Sequence, residues 1–71
     1  MEDWKKLTEI EDLLSANVIN AALHSENIDT ALINKKDSAY VFLGRYEIMV
    51  RKEDENKARK ILDQIQDREE D

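Results

Sequence analysis

The chain has no cysteine, no proline and a single glycine among its 71 residues. Without cysteine it can have neither a disulfide framework nor a thiolate metal site. One glycine, Gly44, is too few for the glycine-rich loops that cradle phosphates. No run of about 18 apolar residues is present, so no membrane-spanning segment is expected. The first residues also lack the basic and apolar regions of a signal peptide, and we expect a cytoplasmic protein.

Histidine is nearly absent as well, because His24 is the only one. A Cys–His catalytic pair is therefore impossible, and a Ser-His-Asp triad would depend entirely on this side chain. His24 stands near the end of a predicted helix and off its apolar stripe, which favours a solvated or capping role. The sequence contains neither the His-x-x-x-His nor the His-Glu-x-x-His spacing of metal sites. We therefore expect no enzymatic activity, no metal and no cofactor.

The length allows one domain only, spanning residues 1–71 with a core of about residues 4–66. The formal net charge of −6 disfavours binding to nucleic acids and to anionic membranes. This charge is unevenly distributed: residues 1–29 carry −5, residues 30–51 carry +2 and residues 52–71 carry −3. Strand-rich segments with few glutamates would explain the basic middle, and so would a local site for an anion or an acidic partner.

Three segments have the composition of β-strands. Residues 4–8 alternate loosely, with Lys5, Leu7 and Glu9 expected on one face and Trp4, Lys6 and Thr8 on the other. Residues 29–34 form the second predicted strand, in which Ala31 and Ile33 face one way and Leu32 the other. Residues 46–51 alternate most clearly, because Tyr46, Ile48 and Val50 share one face.

Two segments have helical periodicity. Residues 10–26 place Ile10, Leu14, Val18, Ala21, Ala22 and Ser25 on one stripe, with Leu13 at its edge. Ile19 and Leu23 lie off this stripe, either at the rim of the core or facing a partner. Thr8 and Glu11 have the spacing of a capping box, and Asn27 suits the left-handed residue after a helix.

The second predicted helix covers residues 53–66 and has a narrow apolar stripe of Ala58, Ile61, Leu62 and Ile65. Glu55 and Arg59 stand at the favourable i, i+4 spacing. Residues 67–71 contain no apolar side chain, and we expect a frayed acidic tail.

The order β-α-β-β-α predicts an α+β, ferredoxin-like fold. In this fold the third strand lies between the first two and antiparallel to both, and both helices pack on one face of a three-stranded sheet. The predicted core consists of Leu7, Leu14, Val18, Ala21, Ile28, Ala31, Ile33, Ile48, Val50, Ala58, Ile61, Leu62 and Ile65.

The face of the sheet without helices is the first candidate site. It is expected to hold Trp4, Lys6, Leu32, Asn34, Met49 and Arg51. Trp4, Leu32 and Met49 would form an apolar patch of the kind that marks an interaction surface. The alternative is that residues 40–43 fold over this patch. Self-association through this face is a further expectation.

The connection between the second and third strands, residues 35–45, is the second candidate site. Lys35, Lys36, Ser38 and Arg45 could hold a phosphate or carboxylate. Ordinary turn chemistry accounts for the same residues. The conformation of this segment stays open between a loop and an extra hairpin strand.

The sequence also resembles a small bacterial domain family, DUF2007, which is described as signal-transducing. The resemblance rests on the opening strand, the helix and turn of residues 11–28, the strand 30–34, the segments 34–40 and 46–54, and residues 58–62 of the last helix. It implies a ferredoxin-like fold related to the nitrogen-regulatory PII proteins. In those proteins a long regulatory loop joins the second and third strands, whereas here the connection is short. Lys52 stands where the family often has proline. The family has no established catalytic residues to transfer.

The sequence therefore predicts a small, non-enzymatic bacterial interaction or signalling module that binds a protein partner or a second copy of itself. Trp4, Leu32, Met49 and Tyr40 are the expected contact residues. The alternative is a sensor of a small anion, a nucleotide or phosphorylated metabolite, held by the basic residues of the 35–45 connection. The sequence names neither the partner nor the pathway.

Overall fold

The computed structural model describes residues 3–35 and 45–69, which form a three-stranded sheet and two helices. The elements in chain order are β1 (Trp4–Ile10), α1 (Leu13–Ser25), β2 (Thr30–Lys35), β3 (Arg45–Arg51), a 3-10 turn (Lys52–Asp54) and α2 (Glu55–Glu69). The strand order is β1-β3-β2, and β3 is antiparallel to both neighbours. The predicted α+β, β-α-β-β-α arrangement is confirmed.

A bulge in β1 redirects its side chains. Lys5 lies opposite Val50 and Lys6 opposite Met49, but the next pair is Thr8 with Ile48. The extra residue, Leu7, is buried. Because a bulge shifts the alternation by one residue, Glu9 lies on the face of Trp4 and Lys6, and not beside Leu7 as the simple alternation predicts.

Helix α1 starts later than the periodicity suggests, because Ile10 belongs to β1. The N-cap is Asp12, whose Oδ2 accepts hydrogen bonds from the backbone N–H of Ser15 at 3.0 Å and from its hydroxyl at 2.8 Å. These bonds favour the ionised form and lower the pKa of Asp12 below its usual 3.8, the hydroxyl bond being the larger cause. The predicted capping box of Thr8 and Glu11 is therefore wrong.

The C-terminus of α1 has the geometry predicted for it. Asn27 has a φ of 62°, the left-handed conformation that asparagine tolerates better than most residues. The N–H of Ile28 donates to the carbonyl of Leu23 at 3.0 Å, and the N–H of Asn27 donates to that of His24 at 3.0 Å. This is a Schellman motif, in which the apolar residues at the two ends of the longer bond pack together. Both Leu23 and Ile28 are fully buried.

The side of α1 that is buried in the core is opposite to the predicted side. Its buried residues are Ala16, Ile19 and Leu23, whereas Leu14 is 71% and Val18 is 49% exposed, and Ala21 is also exposed. Since α1 has apolar side chains on two sides, its periodicity could not select the buried one. The Schellman motif joins Leu23 to Ile28 through the backbone, and both side chains belong to the core.

The rest of the core matches the prediction more closely. Its other buried members are Leu7, Ile28, Ile48, Val50, Ala58 and Leu62, and Ile10, Tyr46, Ile61 and Ile65 pack against it. Residues of both helices and of β3 share this one cluster, so both helices cover the same face of the sheet. Each large apolar side chain buried here contributes about 1.5–3 kcal/mol.

The two faces of strand β2 are exchanged relative to the prediction. Leu32 lies opposite Ile48, and Asn34 lies opposite Tyr46, so both belong to the helix-covered face. Ala31 and Ile33 lie opposite Met49 and Glu47, on the uncovered face. Hence Ala31 and Ile33 are not core residues, and Leu32 does not join Trp4 and Met49.

Helix α2 buries the predicted stripe, although it begins after a 3-10 turn and continues to Glu69. Residues 67–69 are therefore helical, where a frayed tail was expected. The predicted Glu55–Arg59 pair forms with a 3.3 Å contact, and Lys5 contacts Glu55 at 3.7 Å. The latter contact ties α2 to β1.

Candidate protein-binding face of the sheet

The face of the sheet opposite the helices, called here the open face, is assembled from all three strands. Cross-strand partners of an antiparallel ladder point to the same side, so the register identifies its members. They are Trp4, Lys6, Glu9, Ala31, Ile33, Lys35, Arg45, Glu47, Met49 and Arg51.

The apolar part of the open face is formed by Trp4, Met49, Ala31 and Ile33. Met49 lies at the centre, between Lys6 on β1 and Ala31 on β2. All four apolar side chains are half-buried. The predicted contact residues Trp4 and Met49 are thus on one face, and Ala31 and Ile33 take the place assigned to Leu32. Tyr40, the fourth predicted contact residue, lies outside the described residues.

Trp4 is held by Arg51, its partner across the β1–β3 ladder. The guanidinium carbon of Arg51 lies 4.9 Å from the centroid of the indole ring. The Nε of Arg51 also donates to Oδ2 of Asp29 at 3.2 Å. A cation–π contact at an exposed site contributes about 0.5–1 kcal/mol. The indole is therefore positioned at one end of the open face by an arginine that is itself held by a carboxylate.

Glu47 is the most buried charged residue of the open face, at 8% exposure. Its Oε2 lies 3.2 Å from the ammonium nitrogen of Lys35 and 3.8 Å from that of Lys6. A buried carboxylate is costly unless it is paired, and here one lysine from each edge strand supplies the pairing. The alternation of the third strand predicts Glu47 on the same face as Met49, but it does not predict its burial or its two lysine partners.

A second carboxylate lies beside it, because Glu9 is directly opposite Glu47. Like charges in such a pair repel, and cations must offset them. Arg45 approaches Glu9 at 3.8 Å, and the two lysines approach Glu47. The result is an alternating network of charges next to the apolar side chains.

This network includes two of the four residues that were predicted to bind an anion, Lys35 and Arg45. Lys35 and Arg45 do lie together, as direct partners of the β2–β3 ladder. Each, however, is within ion-pair distance of a carboxylate, Glu47 or Glu9. Lys36 and Ser38 lie outside the described residues. The basic middle of the sequence is thus compensated by one acid of its own and one from the acidic N-terminal segment.

His24 has a structural contact away from the open face. The hydroxyl of Thr30 donates to Oδ1 of Asn20, and Nε2 of His24 lies 2.7 Å from the same hydroxyl oxygen. The three side chains join α1 to the start of β2. Within residues 3–35 and 45–69 no three potential metal ligands come together.

Comparison with known proteins identifies one family. The family model described as "Putative prokaryotic signal transducing protein", DUF2007, matches residues 4–66. No curated protein and no solved structure matches the chain. Among the described helices, none combines the length and hydrophobicity needed to cross a membrane.

Proposed function

The chain belongs to the DUF2007 family, and from that premise we propose that it is a non-enzymatic module that binds a protein partner through the open face. The observation that carries the proposal is the apolar group of Trp4, Ala31, Ile33 and Met49 with charged side chains around it. Protein interfaces have this anatomy, an apolar centre with a polar rim. The module acts, in the same proposal, in the cytoplasm of a bacterium as part of a signalling assembly.

The charges of the open face indicate the chemistry of the partner. The face carries four cationic side chains and two anionic ones, in a chain whose net charge is −6. Complementary potentials speed association and exclude wrong partners. We therefore propose a partner with an acidic surface around an apolar centre.

A protein partner fits the shape of the site better than a small molecule does. Small-molecule sites are concave pockets that enclose most of their ligand. The open face is a sheet surface from which side chains project, and its apolar members come from all three strands. Catalysis has no support in the described contacts, because the carboxylates of the face are paired with cations.

The test compares two neighbouring residues of β2 that point to opposite faces. Ile33→Gln alters the open face, and Leu32→Gln alters the helix-covered face by the same change in chemistry. A partner is first captured from an extract of the source organism with the wild-type chain, and is then purified. Its dissociation constant for each variant is measured by calorimetry, with circular dichroism to verify folding.

We expect Ile33→Gln to weaken binding by about tenfold or more, which corresponds to about 1.4 kcal/mol. Leu32→Gln should leave the dissociation constant within about twofold of wild type. Equal binding by both variants, or loss of binding with Leu32→Gln alone, would contradict the proposed face.

Small-anion binding is the second candidate function, favoured by the placement of Lys35 opposite Arg45. An incoming anion would have to compete with the carboxylates already beside them. Thermal-shift measurements with nucleotides and phosphorylated metabolites test this function. A stabilisation that is lost in Lys35→Ala/Lys36→Ala, and kept in the control Lys60→Ala on α2, would favour the sensor.

A further inference from the structure

Helix α1 has a second apolar stripe that the core does not use. Leu14, Val18, Ala21 and Ser25 are all exposed, Leu14 by 71% and Val18 by 49%. Their spacing of four, three and four residues is that of a coiled-coil seam. At 3.6 residues per turn, this stripe lies on the side of the helix opposite the buried Ala16, Ile19 and Leu23. It is defined here as the outer stripe.

The outer stripe lies on a helix without formal charge. Lys, Arg, Asp and Glu make up 39% of the chain, yet none of the 13 residues of α1 is one of them. His24 is its single ionisable residue. The other helix, α2, has the opposite composition, with acids and bases on its exposed sides. Depletion of charge is characteristic of the centre of an interface and uncharacteristic of a solvated helix.

A groove opens at the C-terminal end of the outer stripe. Its volume is about 200 Å³, and it lies between α1 and α2. The residues that line it are Ala22, Ser25, Glu26, Ile61, Gln64 and Ile65. The hydroxyl of Ser25 donates to the carbonyl of Ala22 at 2.6 Å, so this polar atom already has its hydrogen bond. An apolar side chain can therefore cover Ser25 without leaving its hydroxyl unpaired.

The stripe thus has a protruding leucine at one end and a groove at the other. Leu14 and Ser25 are 11 residues apart, which is about 16 Å along a helix. We propose that a second copy of this chain docks on the outer stripe with its α1 antiparallel to the first. In this two-fold arrangement Leu14 of each copy enters the groove beside Ser25 of the other, and Val18 packs on Ala21.

Three features favour a second copy as the occupant. Each large side chain of the stripe meets a small one, so the surface is complementary to itself, as a two-fold interface requires. The flanking residues Asn17 and Ala22 are uncharged, so like-charge repulsion is confined to the two ends of the stripe, where Glu26 lines the groove. The opposed helix directions also bring the partial charges of opposite helix ends together.

The proposed interface is small, and the net charge of the chain disfavours dimerisation. One pair of helices buries an area at the low end of specific interfaces, which predicts a weak dimer. Each copy has a net charge of −6, so the copies repel each other at long range. Salt screens this repulsion, and it does not weaken the packing of the uncharged side chains of the outer stripe. We therefore expect dimerisation to become stronger as the salt concentration rises.

Sedimentation of the full chain between about 10 μM and about 1 mM tests the proposal, since this range brackets a weak dimer. Leu14→Gln should weaken dimerisation by about tenfold or more. Leu13→Gln is the matched control, because Leu13 is 46% exposed on the same turn but outside the stripe. A monomer mass throughout the range, or equal effects of the two variants, would overturn the proposal. Ile33→Gln should leave this dimer intact, so the result is independent of the proposed function.

The antiparallel direction has its own test, because the chain contains no native cysteine. A disulfide requires Cα atoms within about 7 Å of each other. Leu14→Cys chains mixed with Ser25→Cys chains should therefore cross-link under mild oxidation, and either variant alone should not. Efficient cross-linking of Leu14→Cys with itself would indicate parallel helices and overturn the arrangement.

Discussion

The ammonium of Lys35 lies 3.2 Å from a carboxylate oxygen of Glu47, on the face of the sheet that the helices do not cover. The two residues differ sharply in exposure, because the Lys35 side chain is 59% exposed and the Glu47 side chain only 10%. The lysine can return to water if the pair is broken, whereas the glutamate cannot. Removing the lysine should therefore destabilise the fold more than removing the glutamate.

This asymmetry predicts the effect of mutation on stability. Lys6→Met/Lys35→Met leaves the carboxylate of Glu47 buried without a cation, and should cost about 3 kcal/mol. Glu47→Gln leaves two lysines that are about half-exposed, and should cost about 1 kcal/mol or less. Urea denaturation of both variants measures the difference. A larger loss in Glu47→Gln would mean that the glutamate is not the constrained partner.

The rotation of α1 can be tested with two leucines of the same helix. Leu23→Ala removes a fully buried side chain and should lower the free energy of unfolding by about 2–5 kcal/mol. Leu14→Ala changes an exposed residue and should alter it by no more than about 0.5 kcal/mol. Denaturation is measured at a low micromolar protein concentration, so that association of the chain does not affect the comparison of the two variants. Similar losses in the two variants would contradict the observed rotation.

Acidification should remove the cap of α1. The pKa of Asp12 is lowered in the folded chain, so the folded state holds its proton less tightly than the unfolded state. The stabilisation is therefore fully present above pH 3.8 and is lost as the pH falls through the folded pKa. Asp12→Asn keeps a capping oxygen without the charge. On acidification, the melting temperature of the wild type should fall more than that of Asp12→Asn. An equal fall in both proteins would exclude a contribution of the Asp12 carboxylate to stability.

The left-handed residue after α1 gives a backbone prediction. Asn27→Val places a β-branched side chain at a φ of 62° and should destabilise the chain by about 1–2 kcal/mol. Asn27→Gly should be neutral or slightly stabilising, because glycine adopts this φ without strain. Thermal denaturation distinguishes the two. Equal tolerance of valine and glycine would mean that the Schellman turn opens without cost.

Features that depend on local chemistry could be predicted from the sequence. Asn27 ends α1 because few other residues adopt a positive φ, and no distant contact is needed to explain it. Ala58 and Leu62 are buried as predicted, since α2 has only one apolar side. The order of the strands was also predicted, because the element order β-α-β-β-α is that of the split β-α-β motif, in which the third strand lies between the first two.

Features that depend on a choice between two apolar surfaces were decided by the tertiary structure. Helix α1 has two apolar sides, and the core takes the side of Ala16, Ile19 and Leu23. Strand β2 has apolar residues on both faces, so its register with β3 determines that Ile33, and not Leu32, joins the open face. The bulge at Leu7 likewise moves Glu9 beside Glu47. The amino-acid sequence therefore determines the elements and their order, and the packing between elements determines which residues form the candidate site.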